Sequence, residues 1–195
     1  ILTLFARGCL LLYIMIMSNP SLCFANMPTG QDSIEANSML SQIDACFKEG
    51  NISEVLSNCN RLQKLAKTTQ WWEMYATAKV QECEAFIRSD RKEDFKFCLT
   101  ALDTFLQSHR RDLGQAYKRF WLESYYGWGT YYESIGMYDQ AIIRFQNIAD
   151  TLATRDSLSG FEQIKACGAV QYIAAIEEAM GDYETAIHHY LEALE

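Results

Sequence analysis

The chain has 195 residues, 49% apolar and 22% charged, and its 25 acidic and 17 basic side chains give a formal charge of −8. This composition supports a packed core. It excludes a collagen, a multi-span membrane protein, a small disulfide knot and a binder of phosphate backbones, which needs a basic face.

In chain order, the first predicted element is a targeting segment. Arg7 supplies a positive start, Leu10 to Met17 is an unbroken apolar run, and Pro20 and then Cys23-Phe24-Ala25 follow. This three-part layout predicts a secretory signal over residues 1–25, cleaved after Ala25, and then a short linker over 26–33. The run is too short for a spanning helix, which needs about 20 apolar residues; an uncleaved anchor is the alternative. Residue 1 is Ile rather than Met, so the start of translation is expected upstream.

Both prolines, Pro20 and Pro28, lie in this leader, and none follows. The absence of the strongest helix breaker points to long helices. Internal copies aligned on their turns predict four pairs, at 32–48/53–67, 70–88/92–108, 114–135/139–153 and 161–180/184–195, with turns at 50, 89, 136 and 181. No segment alternates in the manner of a strand.

The last two pairs repeat each other without gaps. Gly136-x-Tyr138-x-x-Ala141-x-x-x-Phe145 matches Gly181-x-Tyr183-x-x-Ala186-x-x-x-Tyr190. Tyr125, Trp128 and Tyr132 share one face of the helix before the first glycine. The glycines suit a C-terminal turn that needs positive φ. Asp139 and Glu184 place negative charge where the next helix begins. Ala141 and Ala186 let the two helices approach, and Phe145 and Tyr190 fill the gap one turn later.

These residues resemble the tetratricopeptide repeat in a long-period bacterial variety. The resemblance covers about residues 34–195 and implies an all-α solenoid of antiparallel helix hairpins. The matching positions are Tyr125, Trp128, Gly129, Tyr132, Gly136, Tyr138, Ala141, Phe145 and Ile148 in one copy. In the last copy they are Val170, Ile173, Ala174, Gly181, Tyr183, Ala186, Tyr190 and Ala193. Ile148 departs from the expected small residue and Glu177 from the expected aromatic. A weaker copy aligns Ser89 with Gly181, which sets Asp94 at the small-residue site as a mismatch. The weakest copy turns at Gly50. The turn-to-turn spacing exceeds the usual period of about 34, with a loop expected at Thr154–Gly160.

Facing residues of an antiparallel hairpin have a nearly constant index sum. By that rule Cys46 meets Cys59 and Cys83 meets Cys98, which in an exported chain predicts two disulfides and leaves Cys167 outside either pair. The alternative is that these are small, buried, reduced residues. Packed helix axes lie about 8–10 Å apart, whereas a bridge needs Cα atoms within about 7 Å.

No catalytic motif occurs: neither Gly-x-Ser-x-Gly nor a P-loop, Gly-x-Gly-x-x-Gly or His-Glu-x-x-His is present. Adjacent His188 and His189 point about 100° apart on a helix, so they are not expected to hold an ion by themselves. The segment is therefore expected to be no enzyme and to use no metal or cofactor.

The resemblance implies an inner groove for a protein or peptide partner, lined by Glu123, Tyr126, Thr130, Glu133, Ser134, Gln171, Ala175 and Glu178. The plain alternative is solvent-exposed helix surface. The end at Glu195 carries no polar capping helix, so a longer protein is expected. By fold-level analogy the chain resembles the periplasmic input region of bacterial signalling proteins, ahead of a diguanylate cyclase or histidine kinase output. A stand-alone periplasmic scaffold for envelope or secretion complexes is the alternative. No nucleic acid is expected as partner, and the membrane only through a signal, an anchor or a downstream segment.

Overall fold

The computed structural model describes residues 30–154 and 157–193. The expected signal segment and the first part of the linker lie outside them. Of the described residues 86% are helical and none is in a strand, as the absence of proline after residue 28 anticipates. The chain divides into two compact units, Ile1–Trp71 and Trp72–Glu195.

The described part of the first unit is one hairpin of α1 (Gln31–Glu49) and α2 (Ile52–Thr68). Gln31, expected in the linker, already belongs to α1, as do residues 32 and 33, where the expected linker and first helix overlap. The second unit contains α3 (Trp72–Arg88), α4 (Lys92–Ser108), the short α5 (Arg110–Leu113), α6 (Ala116–Ser134), α7 (Tyr138–Ala153), α8 (Gly160–Met180) and α9 (Tyr183–Glu192). Three hairpins, α3/α4, α6/α7 and α8/α9, pack in succession, and α6 also touches α3, α4 and α8.

One turn closes every hairpin. Gly50, Asp90, Gly136 and Gly181 are left-handed, with φ of 73°, 55°, 74° and 88°. The next residue donates its N–H to the carbonyl five residues back: Asn51 to Cys46, Arg91 to Phe86, Met137 to Tyr132 and Asp182 to Glu177, each at 2.9 Å. The left-handed residue itself donates to the carbonyl three back. Together these bonds satisfy the carbonyls that a helix end leaves open. Asn51, Arg91, Met137 and Asp182 then share φ of −84° to −89° and ψ of 64° to 74°, so each second helix starts along the same path. A fifth turn of this kind, at Gln70 with φ 54°, ends α2 with a Trp71 to Ala66 bond of 2.8 Å.

The second turn falls at Asp90, not at Ser89 as the sequence predicts. The physical reason is local: Asp tolerates the left-handed region better than most residues, and the Ser89 hydroxyl instead donates to the Ala85 carbonyl at 2.7 Å. Shifting the register by one replaces exposed Asp94 at the small-residue site with buried Phe95, which is apolar though still not small. Counted from each turn residue, the positions five, nine, twelve and sixteen ahead are Val55, Cys59, Leu62 and Ala66, then Phe95, Leu99, Leu102 and Leu106, then Ala141, Phe145, Ile148 and Leu152. All twelve are buried. This four-three-four spacing is one helix face. Seven residues before the turn stand Ile43, Cys83, Gly129 and Ala174, also buried.

The loop expected at Thr154–Gly160 ends in a cap. The Ser159 hydroxyl accepts the Glu162 N–H at 3.3 Å and the Glu162 carboxylate accepts the Ser159 N–H at 2.9 Å, a reciprocal arrangement that starts α8. The expected start of the third pair at 114 is displaced: α5 is inserted first, Gly114 takes φ 51°, and α6 begins at Ala116. None of the described helices is long and apolar enough to cross a membrane.

Candidate functional site

The expected site residues concentrate on α6, and its packing decides what they do. Tyr125, Trp128 and Tyr132 were expected as the packing face, yet all three are only half-buried. The deeply buried residues are Phe120, Leu122, Glu123, Ser124, Tyr126, Gly129 and Tyr131. A helix with neighbours on several sides buries more than one face, so no single stripe marks its interior. Tyr131 meets Phe95 edge-on at 6.3 Å. Tyr126 meets Phe145 and Tyr172, each at 5.3 Å. Tyr125 stacks near Trp121 and carries the Arg144 guanidinium over its ring at 5.1 Å.

Two groove expectations are corrected here. Glu123 and Tyr126 face the interior instead of an open groove. The Lys165 ammonium from α8 donates to Glu123 Oε2 at 2.7 Å, and both side chains are almost fully buried, at 2% and 4% exposure. The same ammonium lies 4.5 Å from the Tyr126 ring centre and 5.5 Å from that of Phe161. Two opposite charges withdrawn from water together keep each other compensated. Arg119, one turn before Glu123, is also largely enclosed. Burial pulls its guanidinium below the ordinary range, with Glu123 opposing that pull. A second brace joins α4 to α6: Asp103 accepts a short hydrogen bond from the Ser124 hydroxyl and another from Trp128 Nε1 at 2.8 Å.

The other six groove candidates have some exposure. The Thr130 and Ser134 hydroxyls donate to their own helix carbonyls, of Tyr126 and Tyr131. Burial raises the Glu133 carboxyl above the usual range, with Lys92 opposing, and Lys92 itself donates to the Ser134 carbonyl at 2.7 Å. Glu178 accepts from the Tyr190 hydroxyl at 3.1 Å. Gln171 is half-buried and Ala175 exposed on α8.

Of the expected core, Ala141, Phe145, Ile173, Ala174 and Ala186 are buried. Gly136 and Gly181 form turns, Tyr138, Tyr190 and Ala193 are half-buried, and Tyr183 is the exception at 64% exposed. Tyr183 is the first residue of α9, at the rim of its hairpin. The departure noted at Glu177 has a partner: its carboxylate lies 2.7 Å from His189 Nδ1, so a polar pair stands where an aromatic was expected.

All five cysteines in the described residues are thiols, so neither expected disulfide is present. The index sum nonetheless located one pair: the Cys83 thiol donates to the Cys98 sulphur at 2.8 Å. Cys98 stands eight residues past its turn and Cys59 nine, so the two expected pairs are not equivalent.

One group of potential metal ligands occurs among the described residues: His188, His189 and Glu192, with ligand atoms within 4.8 Å of one another. All three come from α9, with Glu192 one turn beyond the adjacent histidines, and the Glu177 carboxylate already lies 2.7 Å from His189 Nδ1.

Sequence reasoning missed Lys165, Arg119 and Asp103. The available signal was charge inside an apolar run, Glu123 in the aromatic stretch of α6 and Lys165 between Ile164 and Ala166. No family model matches the chain, and no curated protein or solved structure matches it.

Proposed function

We propose that the chain is an exported, protein-binding module of tetratricopeptide type, the input region of a longer signalling protein. The observation that supports this most is the recurrence of a single backbone turn at 50, 90, 136 and 181, with buried residues at fixed offsets around it. Such units stack and leave a continuous surface of first helices for a peptide or helix partner. Within the second unit that surface includes Gln171, Ala175 and Glu178 on α8 and Glu133 on α6. Glu123, Lys165 and Asp103 hold helices together and are not open to a ligand: Glu123 and Lys165 pair with each other, and Asp103 accepts from Ser124 and Trp128. Export is supported by Arg7, the apolar run and Ala25.

The test uses the full chain in its host with a photo-crosslinking residue at Ala175 or, as control, at exposed Thr104 on α4. One defined protein adduct from position 175, absent from 104 and outcompeted by soluble second unit, is the expected result. Equal adduct patterns at both positions, or none at either, overturn the reading. A fusion of residues 1–40 to a phosphatase active only outside the cytoplasm tests export independently.

A further inference from the structure

The thiols of Cys83 and Cys98 are a side-chain pair that the binding role does not use. Their sulphurs lie 2.8 Å apart, far inside ordinary sulphur contact, at 5% and 1% exposure. Cys83 occupies the position, seven residues before the turn, where the other hairpins of this unit carry Gly129 and Ala174. At that position Gly129 lies directly against the Phe145 ring of its second helix, and the 2.8 Å between the two sulphurs answers the objection that packed helices lie too far apart for a bridge. Around the pair, Phe95, Leu99 and Tyr131 close a buried cluster. Cys98 is also within 3.6 Å of the Lys79 carbonyl and 3.7 Å of a Glu82 carboxylate oxygen.

We infer that Cys83 and Cys98 are a modification site: a dithiol that closes to a disulfide by exchange with a small-molecule disulfide, stapling α3 to α4. In the step, one cysteine thiolate attacks glutathione disulfide, forming a mixed disulfide and releasing one glutathione. The second thiolate then attacks the protein sulphur of that mixed disulfide and releases the other. The dithiol loses two electrons, which reduce glutathione disulfide to two thiols, and its two protons pass to them through solvent. Burial pushes the Cys83 thiol well above the usual range, and its contact with Cys98 adds to the effect. The closed hairpin therefore holds the reduced pair inert, and the exchange takes place while the hairpin is open, during folding or on local unfolding. The inference does not depend on what the module binds.

The test is to unfold the full chain and refold it in reduced plus oxidised glutathione, or in reductant alone. Helicity by circular dichroism confirms refolding, remaining thiols are alkylated, and peptides are mapped by mass. Expected is a linked pair of peptides holding Cys83 and Cys98, lighter by two hydrogens, and a midpoint of thermal unfolding about 5–10 °C above that of the reduced chain. Cys83→Ser and Cys98→Ser should each abolish that rise. Thiols at 83 and 98 that stay fully alkylatable in the refolded, helical chain, or that link elsewhere, overturn the inference. Should the chain fail to refold, the natively purified protein is warmed in excess glutathione disulfide to the foot of its thermal transition, where the hairpin opens, and mapped in the same way, with the same two outcomes.

Discussion

At Gly129 the space available to one hydrogen decides how α6 meets α7. A Cβ there would lie 2.6 Å from Phe145 Cζ and within 3 Å of two more ring atoms. The ring cannot simply swing away, because it is fully buried, stacks on Tyr172 at 4.9 Å and meets Tyr126 edge-on. Gly129→Ala is therefore expected to destabilise by about 1–3 kcal/mol through overpacking. Gly160 supplies the contrast, since nothing lies within 4 Å of its Cβ position and its φ is ordinary. Gly160→Ala at the start of α8 should stabilise by about 0.5–1 kcal/mol, from helix propensity and a less free unfolded chain. Urea unfolding of the two variants, read against wild type, checks both signs. Two losses of equal size would mean that contact with Phe145 is not what matters at 129.

Between elements, the seating of α8 on α6 is polar at its centre and at its start. Removing one partner of the Lys165–Glu123 pair leaves a charge in the interior. Glu123→Ala should thus lower stability by about 3–5 kcal/mol, while Glu123→Leu with Lys165→Met should recover much of it, because a well-packed apolar pair often replaces a buried ion pair without loss. A double-mutant cycle by chemical denaturation measures the coupling; a double variant as unstable as the single one would refute it. At the start of α8, burial works against the Glu162 carboxylate. The Ser159 N–H and hydroxyl, and then Lys118 at 3.1 Å, outweigh it and hold the pKa at about 2. A folded pKa below the unfolded value of about 4.3 means that the carboxylate stabilises the fold above that value and loses its effect as the pH falls toward 2. Glu162→Gln should therefore be less stable than wild type at pH 6, and the gap should close between about pH 4.5 and 2; a gap constant across that window counts against the assignment. The existence of α6 and α8 was legible in the sequence from aromatic periodicity and the glycine turns. Which faces they bury was not, because α6 has neighbours on several sides and its buried residues no longer form one stripe. Nor could a periodic pattern announce that Glu123 faces inward: a lone charge in an aromatic run reads as exposed until its partner, 42 residues away, is known.

Across the whole molecule, the turn carries the repeat more faithfully than the side chains do. Tyr138 and Tyr183 share a motif position, yet one is half-buried and the other exposed, and the motif cysteines 59 and 98 fall at different offsets. All four hairpin turns are nevertheless left-handed, and the residue after each keeps ψ between 64° and 74°. Glycine marks three of the four hairpin turns, so the sequence places those correctly. Where Asp90 takes the left-handed position no glycine betrays it, and the predicted register slips by one. Between the predicted helices 53–67 and 70–88 the sequence places a break, yet nothing there marks Gln70 as left-handed, for the same reason. Left-handed backbone costs a residue with a Cβ roughly 1–2 kcal/mol, partly offset because glycine has more freedom to lose on folding. Gln70→Gly and Asp90→Gly are therefore each expected to raise stability, by about 0.5–1 kcal/mol. Gly50→Ala, Gly136→Ala and Gly181→Ala should each lower it by a similar amount, since open space around all three glycines leaves backbone strain as the only term. The sites share no partners, so the two stabilising changes should add when combined. Equilibrium denaturation of the five single variants and the 70/90 double variant tests the series as a whole. A sign that follows the residue type and not the position, with every glycine introduced being destabilising, would show that the five turns do not share the left-handed geometry on which the repeat is built.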